Sequence, residues 1–386
     1  MGVNYQYISS NQDLKNLIVS IKNDDTVYID LEFDKNHFRY GFNLCLLQLQ
    51  VHDKCFLIDP LTELTIEALF PILENPLITK VCFSFGEDLR LLHYLGCFPK
   101  NIIDLAVGRS LLNKPVVSLS NFILEELGYE VGVSQQKSNW FNRPLTDQQC
   151  EYAAEDVLFL PKVYTKLMNE LIELGRKEWL IQEMKSISEQ DFSAEPVGFQ
   201  LRKKDKKGFK LWEWLRYEKL IAFREELAMK IDRPSYKVVN KNFLIELAKK
   251  QISVDLWSTS KQVYPSIRKS SVQKQVTQLL SEVEKLIQEE GINDKMLATE
   301  RREQSEKLSR VHNRKQILQF KELFFDPLRD PLRETLGEHF VNFAFSNRRI
   351  EGICSGDVQL LNYQKEILND FANKFKLSIP YFIQNI

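Results

Sequence analysis

The stretch Val27–Phe33, VYIDLEF, constrains this chain more than any other. Its β-branched and aromatic residues read as a strand over Thr26–Glu32. Asp30 and Glu32 lie two apart in it, so on a strand both stand on one face. Two carboxylates side by side among Val27, Tyr28 and Ile29 repel each other. A shared proton, exposure at a sheet end or a cation must relieve them.

Other segments say what surrounds this strand. Asn43–Val51, NLCLLQLQV, and Lys54–Ile58, KCFLI, read as further strands, the second ending at Asp59-Pro60. Ile78–Phe83 is a fourth and Asn101–Asp104 a short fifth. Helical patterns fall at Leu64–Glu74, Asp88–Leu95, Ala106–Leu112, from Leu119 onward, and from Asp147 to Gly175 in two pieces around Pro161. Strands first, then strands alternating with helices, predict a mixed sheet covered by helices, an α/β domain over residues 1–195. Asp191–Lys210 breaks the periodicity and carries Arg202, Lys203, Lys204, Lys206, Lys207 and Lys210 against Asp205 alone. We read 196–210 as a basic linker. Beyond it the chain is helical, with one bundle over 211–287 and a second helical region over 300–386. Lys285–Lys307 is charged and poor in apolar residues, a solvated helix or a second linker.

Composition narrows the class. A length of 386 residues suggests two or three domains. The net charge of −1 does not mark a nucleic-acid binder, so any basic surface is local. The six cysteines include no CxxC pair and mostly sit in apolar runs, which reads as buried thiols in a reducing compartment. Neither a basic-then-apolar leader nor an apolar run of about 18 residues is visible, so we expect no secretory signal, no membrane span and a cytoplasmic protein.

Two further segments carry carboxylates that pair with the first. Asp88, in KVCFSFGEDLRLL, follows the fourth strand and opens a helix. Tyr152 and Asp156, in QCEYAAEDVLFLP, are four apart on a helix and share a face that Cys150, Ala153, Val157 and Leu160 turn inward. Alone, each is ordinary: a DxE pair is commonly a surface feature, an Asp after a strand a helix cap, a YxxxD a helix face. Together they are four carboxylates without matching basic residues, which suggests a hard-cation site. Oxygen ligands favour Mg²⁺ or Mn²⁺ over zinc. Two such ions about 3.5–4 Å apart stabilise attacking and leaving oxygens in phosphodiester displacement. The Tyr152 hydroxyl is placed to orient or help deprotonate the attacking water.

These segments resemble a known family. DLE at 30–32, KVCFSFGEDL at 80–89 and EYAAED at 151–156 resemble the three motifs of the DEDD exonucleases, in their tyrosine subclass. QKSNWFNRPLTDQQCEYAAEDVLFLPKVY at 136–164 is similar to ribonuclease D, with its KS-x-W-x-x-RPL stretch before the last motif. The resemblance implies a ribonuclease H-like fold and two-metal 3′→5′ hydrolysis releasing nucleoside 5′-monophosphates. It implies Asp30, Glu32, Asp88 and Asp156 as metal ligands and Tyr152 as the residue positioning the water. Phe83 stands where the family often has His, and Asn139 where Asp is usual; neither is an expected ligand. LWEWLRYEKLIAFREELAMKIDRPSYKVVNKNFLIELAKKQ, from 211, resembles the HRDC domain, a nucleic-acid-binding accessory domain. FAFSNRRIEGICSGD at 343–357 resembles the end of a second, degenerate one.

The expected activity is a metal-dependent 3′-5′ exoribonuclease trimming RNA 3′ ends, with transfer-RNA precursors as the substrate the resemblance implies. Single-stranded DNA is the alternative polymer, since the same catalytic set serves both. A nucleic-acid-binding protein on a silent nuclease fold is the second alternative, against which the five intact residues argue. Lys203, Lys204, Lys206 and Lys207 are candidate phosphate contacts, as is Arg143. Trp140 reads as core packing or a base-stacking platform. A monomer is the expected state.

Overall fold

A computed structural model of the chain describes residues 4–193, 199–292 and 317–378. Its centre is a six-stranded sheet in the order β1-β4-β3-β2-β5-β6. The strands are β1 Tyr5–Ile8, β2 Thr26–Lys35, β3 Phe42–Val51, β4 Lys54–Ile58, β5 Thr79–Cys82 and β6 Ile102–Asp104. β3 and β4 are antiparallel, while β1 runs parallel to β4 and β5 parallel to both β2 and β6. The sheet is therefore mixed, as the sequence order implied. Five of the strands match the expected ones within a few residues, although β2 runs three residues past Glu32.

The sixth, β1, is not visible as a periodic pattern. It is four residues long, and only Ile8 is buried; it forms because its register with Cys55–Ile58 closes one edge of the sheet. β3 is the opposite case. Every residue from Leu44 to Val51 is buried, so both its faces are covered, and its sequence is accordingly a near-continuous apolar run.

Helices α1 Asn11–Ser20, α2 Phe70–Glu74, α3 Gly86–Tyr94, α4 Leu105–Leu111, α5 Leu119–Leu127, α6 Asp147–Leu158, α7 Leu160–Glu173 and α8 Lys177–Ser188 accompany the sheet. The break between α6 and α7 falls at Phe159, with Pro161 in the first turn of α7, where its missing N–H costs nothing. α6 starts at a reciprocal cap, in which Thr146 accepts from the Gln149 N–H and the Gln149 side chain accepts from the Thr146 N–H.

By packing, the described residues divide into two compact units. One comprises 4–32, 44–193 and 317–378; the other comprises 33–43 and 199–292. The second unit is a bundle around helices α9 Leu211–Lys230, α10 Ser235–Val238, α11 Lys241–Ala248 and α12 Ser270–Glu289. Trp257 is wholly buried at its core and donates from Nε1 to the Ile267 carbonyl. Part of the stretch read as a linker is folded here: Phe199, Leu201 and Phe209 pack on this core, and Lys203–Lys206 form a 3₁₀ turn. Of that stretch, residues 194–198 lie outside the described residues, as do 293–316, most of the charged segment Lys285–Lys307.

The helices Asp326–Leu336, Glu338–Ala344, Asn347–Ser355 and Asn362–Lys374, which the sequence reading set apart, share a unit with the sheet. Glu183 of α8 is buried and accepts from the Tyr363 hydroxyl at 2.5 Å and from Arg349 at 2.9 Å. The Tyr363 ring stacks on Trp179, centroids 5.0 Å apart. Asn113 accepts from the N–H groups of His339 and Phe340, capping the helix that starts at Glu338. Gly337 makes that approach possible: its φ is +92°, and a Cβ there would lie 1.9 Å from the Asn113 side chain.

A buried carboxylate stripped of its cation is costly, about 3–5 kcal/mol. Arg349→Met should therefore destabilise the sheet-bearing unit by that order, and Gly337→Ala should also weaken it. Thermal unfolding followed by limited proteolysis of the sheet-bearing unit reads this; unchanged midpoints in both variants would mean the C-terminal helices only rest on the unit.

Candidate active site

The strand period and the helix period meet at one place. β2 holds Asp30 and Glu32 on one face, as the i, i+2 spacing requires. α6 brings Asp156, with Tyr152 one turn before it. Carboxylate oxygens of Asp30, Glu32 and Asp156 all lie within 4.8 Å of one another. Glu32 is 6% exposed, while Asp30 and Asp156 keep partial exposure, so the cluster has a buried floor and a solvent-facing rim.

Asp88 sits in the first turn of α3, buried. It lies outside the three-carboxylate group, yet close enough that its charge and that of Asp30 act on each other. The turn that carries it is fixed by Asp104 at the end of β6. Asp104 accepts from the N–H groups of Ser84 and Phe85 at 2.8 and 2.9 Å, and also caps α4 through Ala106. Sequence reasoning passed over Asp104, whose only signal is an Asp between a short strand and a helix.

The electrostatics follow from burial and like charge. Burial, then Asp156, pushes the Asp30 carboxyl well up. Burial, then Asp30, Asp156 and Asp88, does the same to Glu32. Asp88 rises through burial and Asp30. Asp156 is pushed up to about 7 by burial, against the pull of a hydrogen bond from the Tyr152 hydroxyl. Tyr152 itself is raised by burial and by the nearby carboxylates, so its phenol stays protonated at neutral pH. Ser134, in the loop before α6, lies close enough to the Tyr152 hydroxyl to counter part of that rise.

Among the described residues, no Lys or Arg forms an ion pair with Asp30, Glu32, Asp88 or Asp156. An all-oxygen, anionic, uncompensated donor set fits a hard divalent cation. The expectation of a cation under the opening motif therefore agrees with the geometry.

The remaining candidates are placed differently. Arg143 does not face outward as a phosphate contact. Its guanidinium donates to both oxygens of Asp59 at 2.6 and 2.7 Å and to the carbonyls of Cys45, Trp140 and Asn142. Trp140 is 3% exposed, too buried for a base-stacking platform; its ring lies 6.3 Å from that of Tyr152. Asn139, at the position where Asp is usual, accepts from the Phe141 N–H and so shapes the same loop. Phe83 stacks on Phe122. Lys204, Lys206 and Lys207 are exposed, with Lys206 over the Trp214 ring; the Lys203 side chain is outside the described residues. All six cysteines are free and five of them are buried. Among the described residues, no helix is long and apolar enough to cross a membrane.

Comparison with known proteins converges on the same region. A family model described as 3′-5′ exonuclease matches residues 5–172, which contain the whole constellation. Residues 5–172 are thus similar to a 3′-5′ exonuclease domain. It is similar to ribonuclease D of Shewanella sp. (strain ANA-3), 31% identical over 251 residues, covering 64% of this chain and 64% of that protein. It is also similar to ribonuclease D of Escherichia coli (strain K12), 32% identical over 180 residues, 46% of this chain and 47% of that one. The chain thus spans under two thirds of the length of these relatives. The crystal structure of Escherichia coli RNase D, described as an exoribonuclease involved in structured RNA processing, superposes at TM-score 0.65 with 22% identity, covering 96% of this chain and 99% of that one. A Bifidobacterium adolescentis protein gives 0.60 at 17% identity, with 99% and 95% covered. These two likenesses show a shared fold.

The raised carboxyls set a sign for pH effects in the sheet-bearing unit. A carboxyl raised in the folded state binds a proton there that the unfolded chain has already released, so stability is full below about pH 4 and falls as pH rises toward 7. Without divalent ions, the melting midpoint should fall across this window, and Asp156→Asn should flatten the fall. With saturating Mn²⁺ the midpoint should rise most at pH 7–8, where the ligands are unprotonated. A metal-induced rise that is equal at pH 5 and pH 8 would remove Asp156 from the ligand set.

Proposed function

We propose that this chain is a metal-dependent 3′-5′ exoribonuclease that trims RNA 3′ ends. The observation that carries the reading is the convergence of Asp30, Glu32 and Asp156, with Asp88 and Tyr152 beside them, inside the domain matched as a 3′-5′ exonuclease. Asp30, Glu32, Asp88 and Asp156 would hold two divalent cations, Mg²⁺ or Mn²⁺. Such ions, when bound, supply charge that stabilises a phosphodiester displacement and acidifies water. Tyr152 contributes orientation. Its hydroxyl stays protonated beside Asp156, and it directs the water that attacks the terminal phosphodiester. Hydrolysis then releases nucleoside 5′-monophosphates one at a time.

RNA is favoured as the substrate because the named relatives are ribonucleases D, and the fold likeness to an exoribonuclease that processes structured RNA is in keeping with it. Transfer-RNA precursors are the proposed class. Residues 211–287 serve in this reading as an HRDC-like accessory domain, and exposed Lys204, Lys206 and Lys207, with Lys203, as phosphate contacts.

The deciding experiment incubates 3′-labelled and 5′-labelled RNA and DNA with Mg²⁺ or Mn²⁺ and resolves products at single-nucleotide steps. Processive or stepwise loss from the 3′ end of RNA, abolished by chelator, is expected. Tyr152→Phe should retain Mn²⁺ binding and slow hydrolysis by roughly 10²–10⁴-fold, the usual worth of an orienting or acid–base group. DNA cleaved as fast as RNA would move the assignment to a general exonuclease, and full activity in Tyr152→Phe would make that residue a packing group.

A further inference from the structure

Asp30, Glu32 and Asp156 cannot hold their own arrangement, because they repel one another and, among the described residues, have no Lys or Arg partner. The position of α6, which delivers Asp156 and Tyr152, must be set by contacts away from the cluster. Two such contacts lie at its ends. Before α6, Arg143 commits its guanidinium to the protein. Nε and Nη2 donate to the two Asp59 oxygens at 2.6 and 2.7 Å, Nη2 donates also to the Cys45 carbonyl at 2.7 Å, and Nη1 to the Trp140 and Asn142 carbonyls at 2.7 and 2.8 Å. Asp59 is 1% exposed; its N–H donates to the Ile8 carbonyl, and its carboxylate accepts from the Tyr7 hydroxyl at 2.5 Å. The loop is thus fastened to β1, β3 and the end of β4 at once, and it enters α6 three residues later through the Thr146 cap. At the far end of α6, Pro161 offers no N–H to the Val157 carbonyl one turn back. The Gln50 side-chain amide of β3 abuts the Val157 and Leu158 carbonyls, to which its nitrogen is the atom able to donate.

We propose that Asp59 and Arg143 are a positioning pair, whose bidentate ion pair sets where α6 presents Tyr152 and Asp156 to Asp30 and Glu32. The inference rests on the exonuclease reading above. Neither residue is assigned contact with RNA or metal. The planar fork matters: it meets two carboxylate oxygens and three carbonyls together, which an ammonium cannot do.

The test compares Arg143→Lys, Asp59→Asn, the double variant and the milder Tyr7→Phe with Leu17→Ala, a core truncation in α1 outside this network. Each is measured for RNA kcat and KM at saturating Mn²⁺, for Mn²⁺ affinity by calorimetry, and for melting midpoint. Outer contacts of a metal site typically cost 10–100-fold in affinity or activity when removed. Arg143→Lys and Asp59→Asn should each lose kcat and Mn²⁺ affinity by roughly that factor with KM changed less than about threefold, and the double variant should be no worse than either single one. Tyr7→Phe should show the same pattern at smaller size, and Leu17→Ala should lower only the melting midpoint. A kcat that tracks melting midpoint across all five variants would overturn the proposal, as would an Arg143→Lys variant with raised KM and intact kcat, which would return Arg143 to a phosphate contact. Should the wild type not cleave RNA, the exonuclease reading falls by itself; the pair is then decided by Mn²⁺ affinity, which sustains it if weakened in Arg143→Lys and overturns it if unchanged.

Discussion

Uncompensated negative charge at the meeting of β2 and α6 is the constraint on which the rest of the sheet-bearing unit depends. Asp30, Glu32 and Asp156 converge within 4.8 Å, and burial raises each above the ordinary carboxylate range. Charges gathered this closely in a partly dry place oppose folding unless a proton or a cation joins them. A structure that keeps them must therefore draw its stability from elsewhere. What it gains is a site where a hard cation meets oxygen donors already assembled.

The supporting structure is built on the opposite rule: its buried carboxylates Asp59, Asp104 and Glu183 each have donors to meet. Asp59 meets Arg143 and Tyr7; Glu183 meets Arg349 and Tyr363; Asp104 receives backbone N–H groups. Each of these joins segments far apart in the chain. Asp104 fixes the turn before Asp88, Asp59 fixes the loop before Tyr152, and Glu183 ties the C-terminal helices to α8. The contrast between paired charges in the framework and unpaired ones in the cluster separates scaffold from chemistry more clearly than burial does, since both groups contain buried carboxylates.

That distinction also explains where the structure places the other candidates. Arg143 in an RPL stretch beside a catalytic motif has the composition of a phosphate contact, and Trp140 that of a stacking platform. Both are spent internally. Nothing local marks Arg143 as the partner of a carboxylate 84 positions earlier. The basic run Arg202–Lys210 reads as a tether, yet Asp205 within it accepts from the Arg202 N–H and pairs with Lys241, and Phe209 within it and Phe199 just before it are drawn onto a helical core. In each case, a distant partner settled a residue whose own type allowed several roles.

The cluster itself was legible because local geometry is periodic. Spacing of two on a strand put Asp30 and Glu32 together; spacing of four on a helix put Tyr152 and Asp156 together; a strand-to-helix junction placed Asp88. These need no knowledge of the fold, and they carried the mixed sheet, the divided α6–α7 helix and the carboxylate cluster. Strand β1, the Asp59–Arg143 clamp, the Gln50 contact at the end of α6 and the docking of the C-terminal helices were decided only in three dimensions. Each depends on pairing between segments far apart in sequence, where a single side chain carries no period and its partner is chosen by the fold.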